Sequence, residues 1–346
     1  MIILLSSVGR RPYLVTWFKE ALEKSGMSGV VIATDSDPLS PSRAVADRFI
    51  QAKKVADPEY QHWLAKVLIE EDVNLAISIN DFELSEWAQL PDTPQWAPLI
   101  RFSAATQTLV EDKFAMGEVL SRAGLKVPFT WLGSDDSIHM SDISSFITKG
   151  RFGSASRGLH FADRSGILKA ITAASEEVTD RRGVMASQQN AFNVLDLVLV
   201  QERIFGQEFG MDVISDFSGN YVGVLARKKI SMRGGETDRA ESVSPEPFEE
   251  IARQIAAVIP HPGTIDVDII VDDNSIPYVI DINPRFGGGY PFSHLAGADI
   301  PRAYISWNNG KDIDSNWLKY EPGVVSGKFV EAIRISEPTT YPEEIL

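Results

Sequence analysis

Residues 263–290 read GTIDVDIIVDDNSIPYVIDINPRFGGGY, and the alternation inside this stretch decides the fold. Ile265, Val267, Ile269 and Val271 share one side of an extended segment, with Asp266, Asp268 and Ile270 on the other. A second extended run, Tyr278 to Asn283, follows the turn-forming residues Asp272, Asp273, Asn274 and Ser275. With Asn274 and Ser275 as a two-residue turn, Val271 faces Tyr278, Ile269 faces Ile280 and Val267 faces Ile282, which makes one apolar face. The opposite face then sets Asp268 against Asp281 and Asp266 against Asn283. Directly opposed carboxylates repel. That face is therefore either a solvated outer surface or the floor of a cation site. Oxygen-only donors suit Mg²⁺, which keeps waters and is shared with nucleotide phosphates. The register carries this reading, because a slip of one residue exchanges the two faces.

Arg285 follows Asn283 by two residues, and Gly287, Gly288 and Gly289 come next. A guanidinium beside a metal cluster neutralises a transferring phosphoryl group. Consecutive glycines let backbone N–H groups approach an anion; a flexible turn is the plainer alternative.

The chain has 346 residues, enough for two or three domains. Its net charge of −15 argues against a nucleic-acid surface, whose footprint is basic, and against an anionic membrane surface. One bound ATP needs only a few local cations. The absence of cysteine excludes disulfides, thiolate catalysis and thiolate zinc sites. His62, His139, His160, His261 and His294 show no metal-pair spacing. No apolar run approaches the ~20 residues of a membrane span, and the opening MIILLSSVGRR lacks the basic start of a signal peptide. A cytoplasmic location is expected.

Ile2–Leu5 is a buried strand by composition, followed by a turn at residues 6–9, a helix from Pro12 to about Lys24, and a strand from Val30 to Thr34 closing on Asp35. This β-α-β start predicts an open parallel sheet. Only Gly9 of a dinucleotide fingerprint is present, followed by Arg10 and Arg11, so Gly9, Arg10 and Arg11 are candidates for a small anionic substrate instead, against the alternative of a surface turn with solvated arginines. Leu75–Ile79 is another buried strand. It leads into Asn80, Asp81, Phe82 and Glu83 at its C-terminal end, where ligands bind in such sheets. Asp81 and Glu83 are candidates to hold an amine or hydroxyl, against the alternative of a helix cap with first-turn acids.

Thr106–Ala123 is predicted as one amphipathic helix with Asp112 and Lys113 in its middle. Strands at 129–132 and 145–148 lead to KGRFGSASRG, residues 149–158. Small residues among cations, here Lys149, Ser154 and Ser156, suit a flap over phosphates, although the spacing is not that of a Walker loop. A strand at Leu195–Val200 runs into Gln201-Glu202-Arg203-Ile204-Phe205-Gly206-Gln207-Glu208. Glu202 and Glu208 fit ribose hydroxyls, and the backbone near Ile204 fits adenine. A hairpin over about 209–227 then delivers Arg227, Lys228 and Lys229, with Arg233-Gly234-Gly235-Glu236 close behind.

In this order the segments resemble the ATP-grasp superfamily over nearly the whole chain, and Asp281-Ile282-Asn283-Pro284-Arg285 is similar to the E-x-N-P-R signature of its carbamoyl-phosphate-synthase-like, carboxylate–amine ligase branch. The resemblance implies an α/β fold with an N-terminal Rossmann-like pre-ATP-grasp domain (1–105), a central subdomain with the phosphate-covering loop (106–195) and a C-terminal subdomain with the metal and substrate site (196–346). It implies ATP contacts at Lys113, Lys149, Ser154, Ser156, Glu202, Ile204 and Glu208. One or two Mg²⁺ (or Mn²⁺) ions are implied at Asp268, Asp281 and Asn283, with catalytic roles for Arg285, Asn283 and Lys229. Gly9, Arg10, Asp81, Glu83, Arg227, Gly288 and Gly289 are the implied substrate contacts. The expected reaction joins a small carboxylic acid and an amine through an acyl phosphate, releasing ADP and phosphate, and the resemblance offers a homodimer as the assembly, since dimers are common in related folds. A non-catalytic ATP-binding regulator and a carboxyphosphate- or carbamate-forming enzyme are the alternatives.

Overall fold

A computed structural model describes residues 1–153, 159–179 and 193–335. The chain opens with β1 (Ile2–Ser6), α1 (Pro12–Lys24), β2 (Val30–Asp35), β3 (Arg48–Gln51), α2 (Tyr60–Glu70), β4 (Leu75–Ser78) and α3 (Asp81–Gln89). The four strands form a parallel sheet in the order β3-β2-β1-β4. Both faces are covered, as a parallel sheet requires. Ile3 and Leu5 pack on Leu14 and Phe18 of α1, while Leu4 and Ile32 meet Tyr60, Leu64 and Trp87 on the other side. Each such fully buried apolar side chain contributes about 1.5–3 kcal/mol.

The expected helix 106–123 is two helices, α4 (Ala104–Glu111) and α5 (Lys113–Arg122), broken at Asp112. Asp112 leaves helical geometry (φ −91°, ψ 93°), and its carboxylate accepts from the Phe114 and Ala115 amides. An aspartate at an N-cap is worth about 1 kcal/mol to the helix it starts. The break moves Lys113 from mid-helix to a first helical turn.

Four strands then form an antiparallel sheet in the order β5-β8-β6-β7: β5 (Thr130–Leu132), β6 (Ser145–Gly150), β7 (His160–Asp163) and β8 (Val198–Glu202). Helix α6 (Ile167–Thr179) lies against it through Ile167 and Ile171.

The remainder is built on a six-stranded antiparallel sheet. Its elements are β9 (Gly206–Ser215), β10 (Tyr221–Arg233), β11 (Glu236–Val243), α7 (Glu249–Val258), β12 (Gly263–Asp272), β13 (Pro277–Asn283), α8 (Tyr290–Leu295), α9 (Ile300–Asn308) and β14 (Val325–Gly327). The strand order is β13-β12-β9-β10-β11-β14. One face buries Met211, Val213, Ile265, Val267, Ile269, Val279 and Ile282 against α7 and α5. On the other face Ile214 and Leu225 join Phe286, Tyr290 and Tyr304 in the same core as Phe18 of α1. That shared core fixes the first sheet against the six-stranded sheet and leaves the acidic part of the face open.

The hairpin keeps the anticipated acid register by an unanticipated route. Asp268 pairs with Asp281 and Asp266 with Asn283, but Ile269 pairs with Val279 and Val271 with Pro277. The turn holds three residues rather than two, with Ser275 in the left-handed region at φ 63°. A bulge between Asp268 and Ile269 on one strand and Asp281 and Val279 on the other absorbs the difference by leaving Ile280 outside the pairing. Val279, not Ile280, therefore enters the core.

Candidate active site

A cleft of about 600 Å³ lies between the antiparallel four-stranded sheet and the open face of the six-stranded sheet. At one end the chain crosses from β8 to β9, and Glu202, Ile204 and Glu208 line the cavity there. Arg203 stands between two rings, its guanidinium 4.7 Å from the centre of Phe161 and 4.6 Å from that of Phe205. Both rings line the cleft and are more than half exposed, so they offer flat apolar surface beside the main-chain polar groups of 203–205.

The floor is the opposed pair Asp268 and Asp281. Lys229 sits 2.7 Å from Asp268 and 3.8 Å from Glu208. Lys113, projected by the first turn of α5, forms an ion pair with Asp281. Lys149, near the end of β6, donates to the Ile280 carbonyl at 3.1 Å, a group near the bulge. Burial drives the Lys149 ammonium down to about 8; Asp281 resists the fall and Lys113 adds to it. Burial also lowers Lys229, but Asp268 beside it wins and its pKa is raised. Burial raises Asp281, yet Lys113 and Lys149 outweigh that and hold it below the usual carboxylate range. Asp268 moves up because burial outweighs the pull of Lys229.

Beyond the floor, Arg285 is gripped at both ends of its fork by Asp81, at 2.7 and 3.1 Å. Arg11 donates to the Phe286 carbonyl at 2.8 Å and lies 3.9 Å from Glu236, which Lys328 meets at 2.9 Å. Arg11, Glu236, Asn283, Arg285 and Gly288 line this end.

Beneath the glycine run is a buried ion triad. Arg227, 1% exposed, donates to Asp212 and to Asp266, each at 2.6 Å, and Ser293 donates to Asp212 at 3.0 Å. A Cβ on Gly287 would collide with the Asp266 carboxylate, and one on Gly289 with the Arg227 guanidinium. These two glycines are thus required by the backbone's approach to the triad, whereas Gly288 faces Glu236 and Lys328.

Several expected substrate contacts have other partners. The Glu83 carboxylate is fully buried and accepts from Ser6 (2.7 Å), Tyr60 (2.5 Å) and Ser78 (2.5 Å), so it ties the ends of β1 and β4 to α2 and α3. The Gly9 carbonyl accepts from Ser40 and Ser42. Arg10 is exposed, and its neighbour Arg11 reaches the cleft instead. Asp81 acts on Arg285, and Arg227 is committed to its two aspartates. Ser154 and Ser156 lie outside the described residues. Arg11 was among the residues the sequence offered for an anionic substrate, whereas Glu236, Phe161 and Phe205 were passed over as site residues; the only signal for Glu236 was its place after a Gly-Gly turn among cations.

Among the described residues no three histidine, aspartate or glutamate side chains form a metal cluster. Two carboxylates and the Asn283 amide do match Mg²⁺, which takes one or two protein carboxylates and completes its shell with phosphate and water. The same acids pair with lysines, Asp268 with Lys229 and Asp281 with Lys113.

Comparison with known proteins agrees with this architecture. The PylC-like, N-terminal domain family matches residues 3–94, and the ATP-grasp domain family matches residues 110–289, more than half of the chain. No curated protein matches the sequence. Similar solved structures include biotin carboxylase from Campylobacter jejuni (18% identity, 94% of this chain and 74% of that one, TM-score 0.71). N5-carboxyaminoimidazole synthetase from Staphylococcus aureus is another (17%, 91% and 78%, TM-score 0.64). L-amino acid ligase from Bacillus licheniformis is a third (16%, 93% and 77%, TM-score 0.63). Parallel β3-β2-β1-β4 sheet, antiparallel lid sheet and antiparallel floor sheet are the parts of one known architecture, and the chain belongs to the ATP-grasp family.

Proposed function

We propose that this protein is an ATP-dependent carboxylate–amine ligase that forms an amide or peptide-like bond through an acyl phosphate. The observation that carries the reading is the order of groups along one cleft. An aromatic and glutamate-lined end is followed by two opposed acids with three lysines, and then by a clamped arginine.

Glu202 and the main chain of 203–205 would hold adenosine, and Phe161 and Phe205 would cover it. Lys113 and Lys149 would turn from Asp281 and the Ile280 carbonyl to the phosphates. Asp268, Asp281 and Asn283 would hold Mg²⁺, which when bound neutralises charge on the phosphate oxygens. Arg285, its fork fixed by Asp81, would meet the transferring phosphoryl group. The substrate carboxylate attacks the γ-phosphate and ADP leaves; the amine then attacks the acyl carbon and phosphate leaves. Positioning and charge supply most of such a step, consistent with a floor that holds no histidine among the described residues.

Arg11, Lys328 and Glu236 surround the far end, so the acceptors are small charged molecules. The test is ADP release from Mg²⁺-ATP in fractionated metabolite extracts, with the product identified by mass. Release that needs both an acid and an amine supports the ligase. Release that needs bicarbonate supports a carboxyphosphate-forming enzyme. Tight ATP binding without release from any fraction replaces both with a nucleotide-binding protein.

A further inference from the structure

We propose that Asp112 and Arg151 form a positioning pair that delivers Lys113 and Lys149 together to the phosphates of the nucleotide. This rests on reading the two lysines as phosphate contacts, and the test below separates the two claims.

The lysines come from different elements, yet they end at consecutive residues of β13, the Asp281 side chain and the Ile280 carbonyl. Two ammonium groups brought this close repel each other, so some other contact must hold their supports together. Arg151 lies two residues after Lys149, just past the end of β6, and Asp112 directly precedes Lys113. The Arg151 Nε donates to Asp112 Oδ1 at 2.8 Å and its Nη2 to Oδ2 at 2.6 Å. Both side chains are nearly buried, at 10% and 13% exposure. The main chain repeats the link: the Lys113 amide donates to the Arg151 carbonyl at 3.2 Å, and the Arg151 amide to the Leu197 carbonyl at 2.8 Å.

Asp112 therefore has two tasks. Its Oδ1 caps α5 through the Phe114 and Ala115 amides, which sets the direction in which Lys113 leaves the helix. Its carboxylate also takes the Arg151 fork, which sets the distance from that helix to the lid sheet. A planar two-point contact fixes orientation as well as distance. Neither residue lines the cleft, so both act through the lysines.

The experiment is calorimetric titration of the full chain with Mg²⁺-ATP, which needs no acceptor substrate. Arg151→Met is expected to weaken ATP about tenfold, and Asp112→Asn, which keeps a capping oxygen, by a similar factor. In a Lys113→Met background, and separately in Lys149→Met, Arg151→Met should cost less than about threefold, because residues acting through one another are non-additive. An equal cost in all backgrounds would show general structural damage and overturn the pair, as would unchanged affinity in Arg151→Met. If Arg151→Met does not fold by thermal melting, Asp112→Asn and Arg151→Lys carry the same cycle. If the unmodified chain binds ATP but neither lysine substitution weakens it, the phosphate reading fails first and the pair falls with it. If the lysine substitutions weaken binding and the Asp112 and Arg151 substitutions do not, only the pair fails.

Discussion

Asp268 and Asp281 stand opposite each other across the β12–β13 ladder, and each is neutralised by its own lysine: Lys229 from β10 and Lys113 from α5. The lysines remove the repulsion that such a cross-strand pair would otherwise carry.

Asp281→Ala takes away a proposed metal ligand and the partner of Lys113 at once. Mg²⁺-dependent ADP release should fall by roughly a hundredfold or more. The substitution also leaves two neighbouring ammonium groups near the floor without their nearest carboxylate, so the melting temperature should drop as well. Asp281→Asn separates the effects, since it keeps the shape. Full turnover in Asp281→Asn across a magnesium titration would remove Asp281 from the metal site.

The depressed Lys149 pKa gives a pH dependence of definite sign. Its value of about 8 lies below the 10.5 of a free lysine. Below about pH 8 the group is charged in both folded and unfolded chains, and burial of the charge costs stability. Between about 8 and 10.5 the unfolded chain binds more protons, so this group's contribution to stability rises with pH. If Lys149 meets phosphate as proposed, ATP affinity should move the other way, weakening above about pH 8 as the free protein loses that cation. Titrations with Mg²⁺-ATP from pH 6.5 to 9.5 would show the inflection in the unmodified chain and its loss in Lys149→Arg, because arginine stays charged throughout.

Much of this site was legible in the sequence because its parts are local. The alternating hairpin, the Asn-Pro-Arg run and the β-α-β opening announce themselves through periodicity and punctuation. The acid register survived because two one-residue departures cancel: the turn has an extra residue and the bulge at Ile280 restores the phase. Nothing in the composition of β13 marks that bulge, and Lys149 depends on it. The break at Asp112 had a signal, an aspartate able to cap, but helical periodicity ran through it and masked it. Arg227 and Glu83 were read as substrate contacts because charge next to a motif suggests a ligand. Of their actual partners, Asp212 is a cross-strand neighbour of Arg227 in the β9–β10 hairpin and Ser78 is five residues from Glu83, but Asp266, Ser6 and Tyr60 are 39, 77 and 23 residues away and become neighbours only through tertiary packing.

The triad under the glycine run should respond to a single methyl. Gly289→Ala drives a Cβ into the Arg227 guanidinium, and relief requires moving either the loop that follows Arg285 or a buried cation. Arg227→Met keeps much of the bulk but strands Asp212 and Asp266, two buried acids whose pKa values are already pushed up by burial despite Arg227. Breaking a buried pair from one side costs about 3–5 kcal/mol. Urea unfolding should therefore rank Arg227→Met as strongly destabilised, with Gly288→Ala the mildest of the glycine changes. Its nearest neighbours, at 3.3–3.5 Å, are the movable ends of Glu236 and Lys328.

Asp81 offers a test of how the first sheet serves the reaction. It sits in the first turn of α3, at the end of β4, and its two oxygens take the Arg285 fork from 204 residues away in sequence. Asp81→Asn retains one acceptor and places an amide donor against the guanidinium, so the fork loses both charge and planarity of contact. If Arg285 meets the transferring phosphoryl group, the defect belongs to the transition state: kcat should fall about tenfold or more while the KM for ATP changes little. Asp81→Glu, which restores the charge on a longer arm, should recover part of kcat. A matching rise in the KM for ATP with kcat intact would instead place Arg285 on the bound nucleotide, and equal losses in Asp81→Asn and Asp81→Glu would mean that the contact only holds the first sheet to the floor.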